Sequence, residues 1–167
     1  MKAFLSVFAI LFLNLSLAQA QSVDSSESGL TLPRMVSIRS DNTNARSGPG
    51  KKYPIEWIYK QQGAPVEIIN EFEYWRQIRD WEGSVSWVHK TLLSGRRFIK
   101  IITPGENNIY NSDDYDSRVI AKAEDGVIGE IKKCPKKNEF CLVKFETIEG
   151  WIPKKNVFGV YEDEVIK

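Results

Sequence analysis

The sequence predicts an all-β protein: two small β-barrels in tandem behind a cleaved export signal. Three features carry that prediction. Apolar and polar residues alternate in short runs, "MVSIRS", "PIEWIYK", "APVEIINEF", "YWRQIRDW" and "SVSWVHK", each bounded by Gly, Pro, Asn, Asp or Ser. Alternation at that length, rich in Val, Ile, Trp and Tyr, is the pattern of half-buried strands. No window carries the wide apolar stripe of a long amphipathic helix. The chain also repeats itself. "WRQIRDWEGSVSWVHKTLL" from Trp75 overlies "FCLVKFETIEGWIPKKNVF" from Phe140, placing Trp75 on Phe140, Ile78 on Val143, Trp87 on Trp151 and Val88 on Ile152. Upstream, "NARSGP" overlies "NIYNSD", with Asn44 on Asn108. A unit of roughly 60 residues is marginal alone, so packing the copies together or stapling one adds needed stability.

The elements are justified in chain order. Residues 1–20 read as a secretory signal peptide: Lys2, an apolar run from Ala3 to Leu13, then small residues at Ala18 and Ala20. That run is short for a membrane span, and Asn14 and Ser16 break the apolar character beyond Leu13. No cysteine stands directly after Ala20, as a lipoprotein would require. Residues 21–32, rich in Ser, Asp and Glu, are expected to be a disordered leader. The first barrel is placed at 33–97, the second, degenerate copy at 98–161, and a tail at 162–167.

Composition narrows the function classes. Lys2 is the only charge of the signal, so its removal brings the 23 basic residues level with the 22 acidic ones. A chain without basic excess is a poor nucleic-acid binder. Export to an oxidising compartment makes the two cysteines, Cys134 and Cys141, an expected disulfide. They flank "PKKNEF", a turn between two strands. Closing so short a loop stabilises by about 2.5 kcal/mol in the chain-entropy account. A redox-active pair would favour C-x-x-C spacing, which is absent.

The stretch "NARSGPGKKYP", 44–54, poses a choice between phosphate loop and turn. A phosphate loop needs two glycines with four residues between them, then Lys and a hydroxyl residue. Ala45 stands where the first Gly belongs, Lys52 replaces the hydroxyl, Pro49 removes an N–H, and no helix comes after it. A turn needs nothing further: Pro fixes one dihedral and its flanking glycines relax the others.

With "NARSGPGKKYPIEWIYKQQGAPVEII" and "WRQIRDWEGSVSWVHKTLL" on the page, the first copy resembles a bacterial SH3 (SH3b-type) domain. Ala45 and Ser86 depart from the family's usual Val and Gly, and the second copy keeps "GWI" at 150–152 but not the loop. From about residue 30 to 166 the chain is similar to an exported tandem SH3-like family of proteobacteria, which pairs cysteines in its second repeat. The resemblance implies the fold. It leaves function open, because small barrels host unrelated tasks.

Catalysis has no support in the residue pattern. His89, the single histidine, closes a strand after Trp87 and Val88 and has no neighbouring Cys, Asp or Glu at metal-ligand spacing. The cysteines lie in the other repeat, so no thiolate–imidazole pair is expected. Catalytic residues, metal and cofactor are all expected to be none. The first repeat instead holds more aromatic rings than a small barrel can bury: Tyr53, Trp57, Tyr59, Phe72, Tyr74, Trp75, Trp81 and Trp87. Trp75 and Ile78 differ in strand parity, so Ile78 is assigned to the core and Trp75 to the surface. Tyr53, Trp57, Trp75, Arg76 and Trp87 form the candidate ligand groove, with Arg79 and Asp80 as further polar anchors. SH3-like folds seat extended peptides on such aromatic grooves. The competing expectation is that the rings fill an interface between repeats or between copies. Lys132, Lys133, Lys136, Lys137, Lys154 and Lys155 are expected on solvated turns and edges. The resulting expectation is an exported, non-enzymatic binding module, periplasmic or extracellular. Its expected partner is a cell-wall peptide or an envelope protein, with no transmembrane segment in the mature chain. The alternative is a structural or assembly protein.

Overall fold

Fourteen strands make up two antiparallel sheets of seven strands each, in a computed structural model that describes residues 26–167. The expected signal peptide and the leader up to residue 25 lie outside the described residues. The first sheet contains β1 (Arg34–Ile38), β2 (Thr43–Arg46), β3 (Ile55–Tyr59), β4 (Pro65–Phe72), β5 (Trp75–Arg79), β6 (Val85–His89) and β7 (Leu93–Ser94). The second contains β8 (Phe98–Ile101), β9 (Asn107–Tyr110), β10 (Val119–Ala123), β11 (Ile128–Lys133), β12 (Phe140–Phe145), β13 (Ile148–Pro153) and β14 (Val157–Phe158). Strand order is β3-β2-β6-β5-β4-β1-β7 in one and β10-β9-β13-β12-β11-β8-β14 in the other, the same path walked twice. The only helical turns among the described residues are two short 3-10 segments, Lys90–Leu92 and Lys154–Asn156. The all-β expectation holds, as two SH3-like barrels.

Each sheet curls because all of its strands send residues into one core. Val36 and Ile38 from β1, Ala45 from β2, Tyr59 from β3, Val66 and Ile68 from β4, Ile78, Val88 and Leu93 meet in a single cluster. Ile99, Ile101, Ile109, Ile131, Cys141, Val143, Phe145, Ile152 and Val157 do the same in the second barrel. Alternate residues of a strand face one side, so a flat sheet cannot bring its two edges onto the same residues; curling does. β-Branched side chains dominate both cores and suit this pleated, half-buried surface. Ile78 is fully buried, as its parity requires.

The barrels share a polar and apolar seam. Tyr161 donates its hydroxyl to Glu67 Oε1 at 2.8 Å, and Arg79 holds Glu67 Oε2 through Nε and Nη2 at 2.9 and 2.7 Å. Lys100 Nζ lies 3.7 Å from the Trp81 ring centre, and Ile128 packs on the first core. Gly159 sits at φ +116°, where an added Cβ would fall 2.2 Å from the Phe98 carbonyl and 2.9 Å from Pro65 Cβ. Only glycine permits that close approach.

Three expectations need correction. Residues 26–32 of the expected leader are not free: Ser28 donates its backbone N–H and hydroxyl to Glu71, each at 2.8 Å, and Leu32 packs on the first core. The expected tail, 162–167, belongs to the second barrel. Ile166 exchanges backbone hydrogen bonds with Cys134, and Glu164 pairs with Arg97. Lys154 is buried rather than solvated, donating Nζ to the carbonyls of Glu162 at 2.7 Å and Glu164 at 3.1 Å. Those backbone acceptors anchor the C-terminal strap beneath β13.

Cys134 and Cys141 form the expected disulfide, with Cα atoms 4.3 Å apart. It joins the end of β11 to β12 and, through the Cys134–Ile166 bridge, steadies the C-terminal strap. Replacing both cysteines with alanine is expected to lower the stability of the second barrel by about 2.5 kcal/mol. Urea unfolding of the oxidised protein and the double variant measures this; equal midpoints would assign the bond no stabilising role.

Candidate functional site

The pleat places five large polar or aromatic residues on the outer face of β2, β5 and β6. Thr43, Ala45, Ser86, Val88 and Ile78 point inward and are buried. Their strand neighbours Arg46, Trp87, His89, Gln77 and Trp75 therefore point outward. Register brings them together: Arg46 lies opposite Trp87, Trp87 opposite Gln77, and Trp75 opposite His89.

Between this row and the 46–54 loop runs a groove of about 350 Å³. Trp75 is its floor, Asn44 and Arg46 form one side, Lys51 the loop rim, and His89, Thr91 and Leu92 the far wall. Trp75 is only 9% exposed although it faces outward, because His89 stands edge-on over it at 5.4 Å. His89 in turn stacks on Tyr74 at 6.1 Å, and its Nδ1 lies 2.8 Å from Thr91 Oγ1. Lys90 Nζ caps Tyr74 at 4.8 Å. His89 thus holds the 3-10 turn and the groove wall in place.

Loop geometry explains the glycines of "RSGPGKKY". The Tyr53 ring lies so close to Gly48 that a Cβ there would fall 2.6 Å from it. Arg46 reaches under the loop, with Nη1 donating to the Tyr53 carbonyl at 2.7 Å and the Lys51 carbonyl at 3.3 Å. That leaves its guanidinium charge unneutralised. Among the described residues Arg46, Lys51, Lys52 and Lys90 enter no ion pair, and no Asp or Glu lines the groove. The groove is an aromatic floor under a cationic rim.

The sequence-derived residues divide. Trp75 is the floor and Tyr53 supports the rim loop; Trp87, half-buried, flanks Arg46 on the same face. Trp57 lies elsewhere: it is paired with Ala45 on the opposite face and is 55% exposed on β3, an edge strand. Arg76 is also elsewhere, because it alternates with Trp75. Its Nε lies 3.1 Å from Glu71, and Nη1 donates to the carbonyls of Glu73 and Trp75. Arg79 is committed to Glu67, and Asp80 to Tyr59 Oη and the N–H groups of Glu82 and Ser84. Sequence reasoning missed the walls of the groove, Arg46, Lys51, His89 and Leu92 among them. A signal was present for three of them: Arg46 and Lys51 sit in the loop already singled out, and His89 shares the parity of Trp87.

A larger cleft, about 950 Å³, opens between the barrels. Its walls mix Lys60, Lys122 and Lys144 with Glu124, Glu130 and Glu146 over Phe98, Ile128 and Phe145. None of the candidate aromatics reaches it. Among the described residues no three His, Cys, Asp or Glu side chains gather as a metal site would require, and no helix is long and apolar enough to cross a membrane.

Residues 39–95, which hold the groove, match the family model for the bacterial SH3 domain. Among solved structures the chain is similar to NlpC2 from Trichomonas vaginalis, at 15% identity and TM-score 0.33, covering 75% of this chain and 48% of that one. NlpC1 from the same organism gives 13% identity and TM-score 0.32, covering 79% and 48%. The chain spans about half the length of these two structures. No curated protein matches it.

On the other side of β5 from Trp75, Glu71 gathers Ser28, Arg34 and Arg76 around one buried carboxylate. Burial raises its pKa, but the hydrogen bonds from Arg34 and Ser28 and the charge of Arg76 outweigh burial and hold it below the usual carboxylate range. A carboxylate depressed on folding stabilises above its unfolded pKa, about 4.3, and loses that contribution as pH falls through the folded value. Glu71→Gln is expected to cost about 3 kcal/mol at pH 7 by stranding two guanidinium groups. The deficit relative to wild type should shrink toward pH 3. Urea midpoints at the two pH values check this; a pH-independent deficit would contradict it.

Proposed function

We propose that this chain is an exported, non-catalytic binding module whose first barrel seats an extended peptide in the Trp75 groove. The ligand is a cell-wall peptide or a segment of an envelope protein. One observation carries the reading: a groove floored by Trp75, which lies 9% exposed under the edge of His89, and rimmed by cations that have no acidic partner in it. Flat rings supply contact area at low entropic cost, and long-range attraction from Arg46 and Lys51 speeds encounter. The match of residues 39–95 to the bacterial SH3 domain supports a recognition role, and the disulfide supports an oxidising, extracytoplasmic setting.

The exposed edge favours a second reading, assembly. Among the described residues β3 has no partner on its outer side, and Ile55, Trp57 and Ile58 are all exposed on it. Such an edge is a template for strand addition.

Retention of the mature protein on purified peptidoglycan tests the first reading. Wild type is expected to be retained, and Trp75→Ala/Lys51→Ala at least ~10-fold less, the loss typical of removing an interface anchor. Circular dichroism would establish that the variant is folded; equal retention of a folded variant would count against the groove. Sedimentation of the same samples tests assembly: a monomer at all concentrations rules it out, whereas an oligomer dissociated by Trp57→Lys supports it.

A further inference from the structure

The second barrel contains the same groove, already filled. A constant shift of 64 residues places Arg46 on Tyr110, Lys51 on Tyr115, Trp87 on Trp151 and Thr91 on Lys155, while Trp75 corresponds to Phe140. The registers agree: Tyr110 lies opposite Trp151 as Arg46 lies opposite Trp87, and Phe140 lies opposite Pro153 as Trp75 lies opposite His89.

In this second groove the loop folds back on the floor. The Tyr115 ring packs against Phe140 at 4.7 Å and against Tyr110 at 6.1 Å. Lys155 Nζ covers it at 4.9 Å, and its hydroxyl lies 3.3 Å from Glu139 Oε2. Acidic residues flank the ring in "SDDYDS", and Asp113 is fastened by Asn138 Nδ2. The plug is an aromatic side chain carried between carboxylates.

The first groove has the complementary composition. Lys51 stands where Tyr115 stands, so the loop brings a lysine instead of a ring to the groove, and Trp75 is covered by the edge of His89. Gly48, Pro49 and Gly50 replace Ser112, Asp113 and Asp114, and the loop carries Lys51 and Lys52 instead of acids. At about 350 Å³ the space falls at the small end of pockets that hold a ligand group.

We infer that the first groove binds from outside what the second carries within itself: an acidic peptide segment presenting an aromatic side chain. The ring lies on Trp75 beside His89, and flanking carboxylates meet Arg46 and Lys51. This rests on the reading of the groove as a peptide site and narrows its ligand. A second copy of this chain is a poor source, because its own Tyr115, 43% exposed, is held on Phe140 and under Lys155.

Three synthetic peptides test the inference on the mature chain: Ac-SDDYDS-NH2, its ring-less form Ac-SDDADS-NH2, and its neutral form Ac-SNNYNS-NH2. Titration by calorimetry at low salt is expected to show binding of the first, with each control at least ~10-fold weaker. Binding of the first should weaken as salt rises, because exposed charges are screened. Lys51→Tyr, which rebuilds the plug of the second barrel, is expected to abolish binding in a folded protein, while Lys51→Arg retains it. Equal affinity for the neutral peptide would overturn the acidic requirement, and equal affinity for the ring-less peptide the aromatic one. No binding of Ac-SDDYDS-NH2 by a chain that peptidoglycan still retains would overturn this inference alone; loss of both would sink the peptide-site reading as well.

Discussion

The interior of a seven-stranded barrel this small is filled by aliphatic side chains and a single ring, and the rest of the molecule answers to that limit. The first core is built from Val36, Ile38, Ala45, Ala64, Val66, Ile68, Ile78, Val88 and Leu93, with Tyr59 the one ring among its buried members. Close packing leaves no slack for larger groups, since overpacking forces strained rotamers. No tryptophan is among the buried members of that cluster, although Trp81 packs against it, and three of them meet different fates. Trp75 is roofed by His89, Trp81 is capped by Lys100 across the seam, and Trp57 stays open on an edge. Surface chemistry in this protein is a consequence of core size.

Two copies of one frame then diverge through their loops. The strands of both barrels run in the same order and present equivalent outward rows. What differs is the eight-residue connection after β2 or β9. One connection, with Gly48, Pro49 and Gly50, packs on Tyr53 and leaves the covering of Trp75 to His89; the other drops Tyr115 onto its floor. The seam around Glu67, Tyr161 and Gly159 joins both barrels through the Tyr161–Glu67 hydrogen bond and the close approach of Gly159 to Pro65.

Buried charge in the first barrel serves architecture rather than recognition. Glu71 unites Ser28, Arg34 and Arg76, while Glu67 unites Arg79 and Tyr161. Arg76 illustrates why proximity in sequence misleads. It comes directly after Trp75, yet the pleat turns it to the other side of the strand, where it completes a carboxylate cluster. The cations at the groove come instead from Arg46 and Lys51, well upstream in the chain, because β2 runs beside β6 rather than beside β5.

Sequence alone determined the strand content, the doubling of the unit, the turn character of "NARSGPGKKYP" and the pairing of the only two cysteines, because each depends on local periodicity or on a count. It also showed that the front barrel has too many rings to bury. Only the tertiary structure decided which rings share a surface, which charges are already spent, and which groove is open. Those properties depend on register between strands distant in the chain: Arg46 meets Trp87, and Tyr115 meets Phe140, only after the sheets close. Side-chain parity is set by a residue's own strand, but its neighbours across the sheet are not.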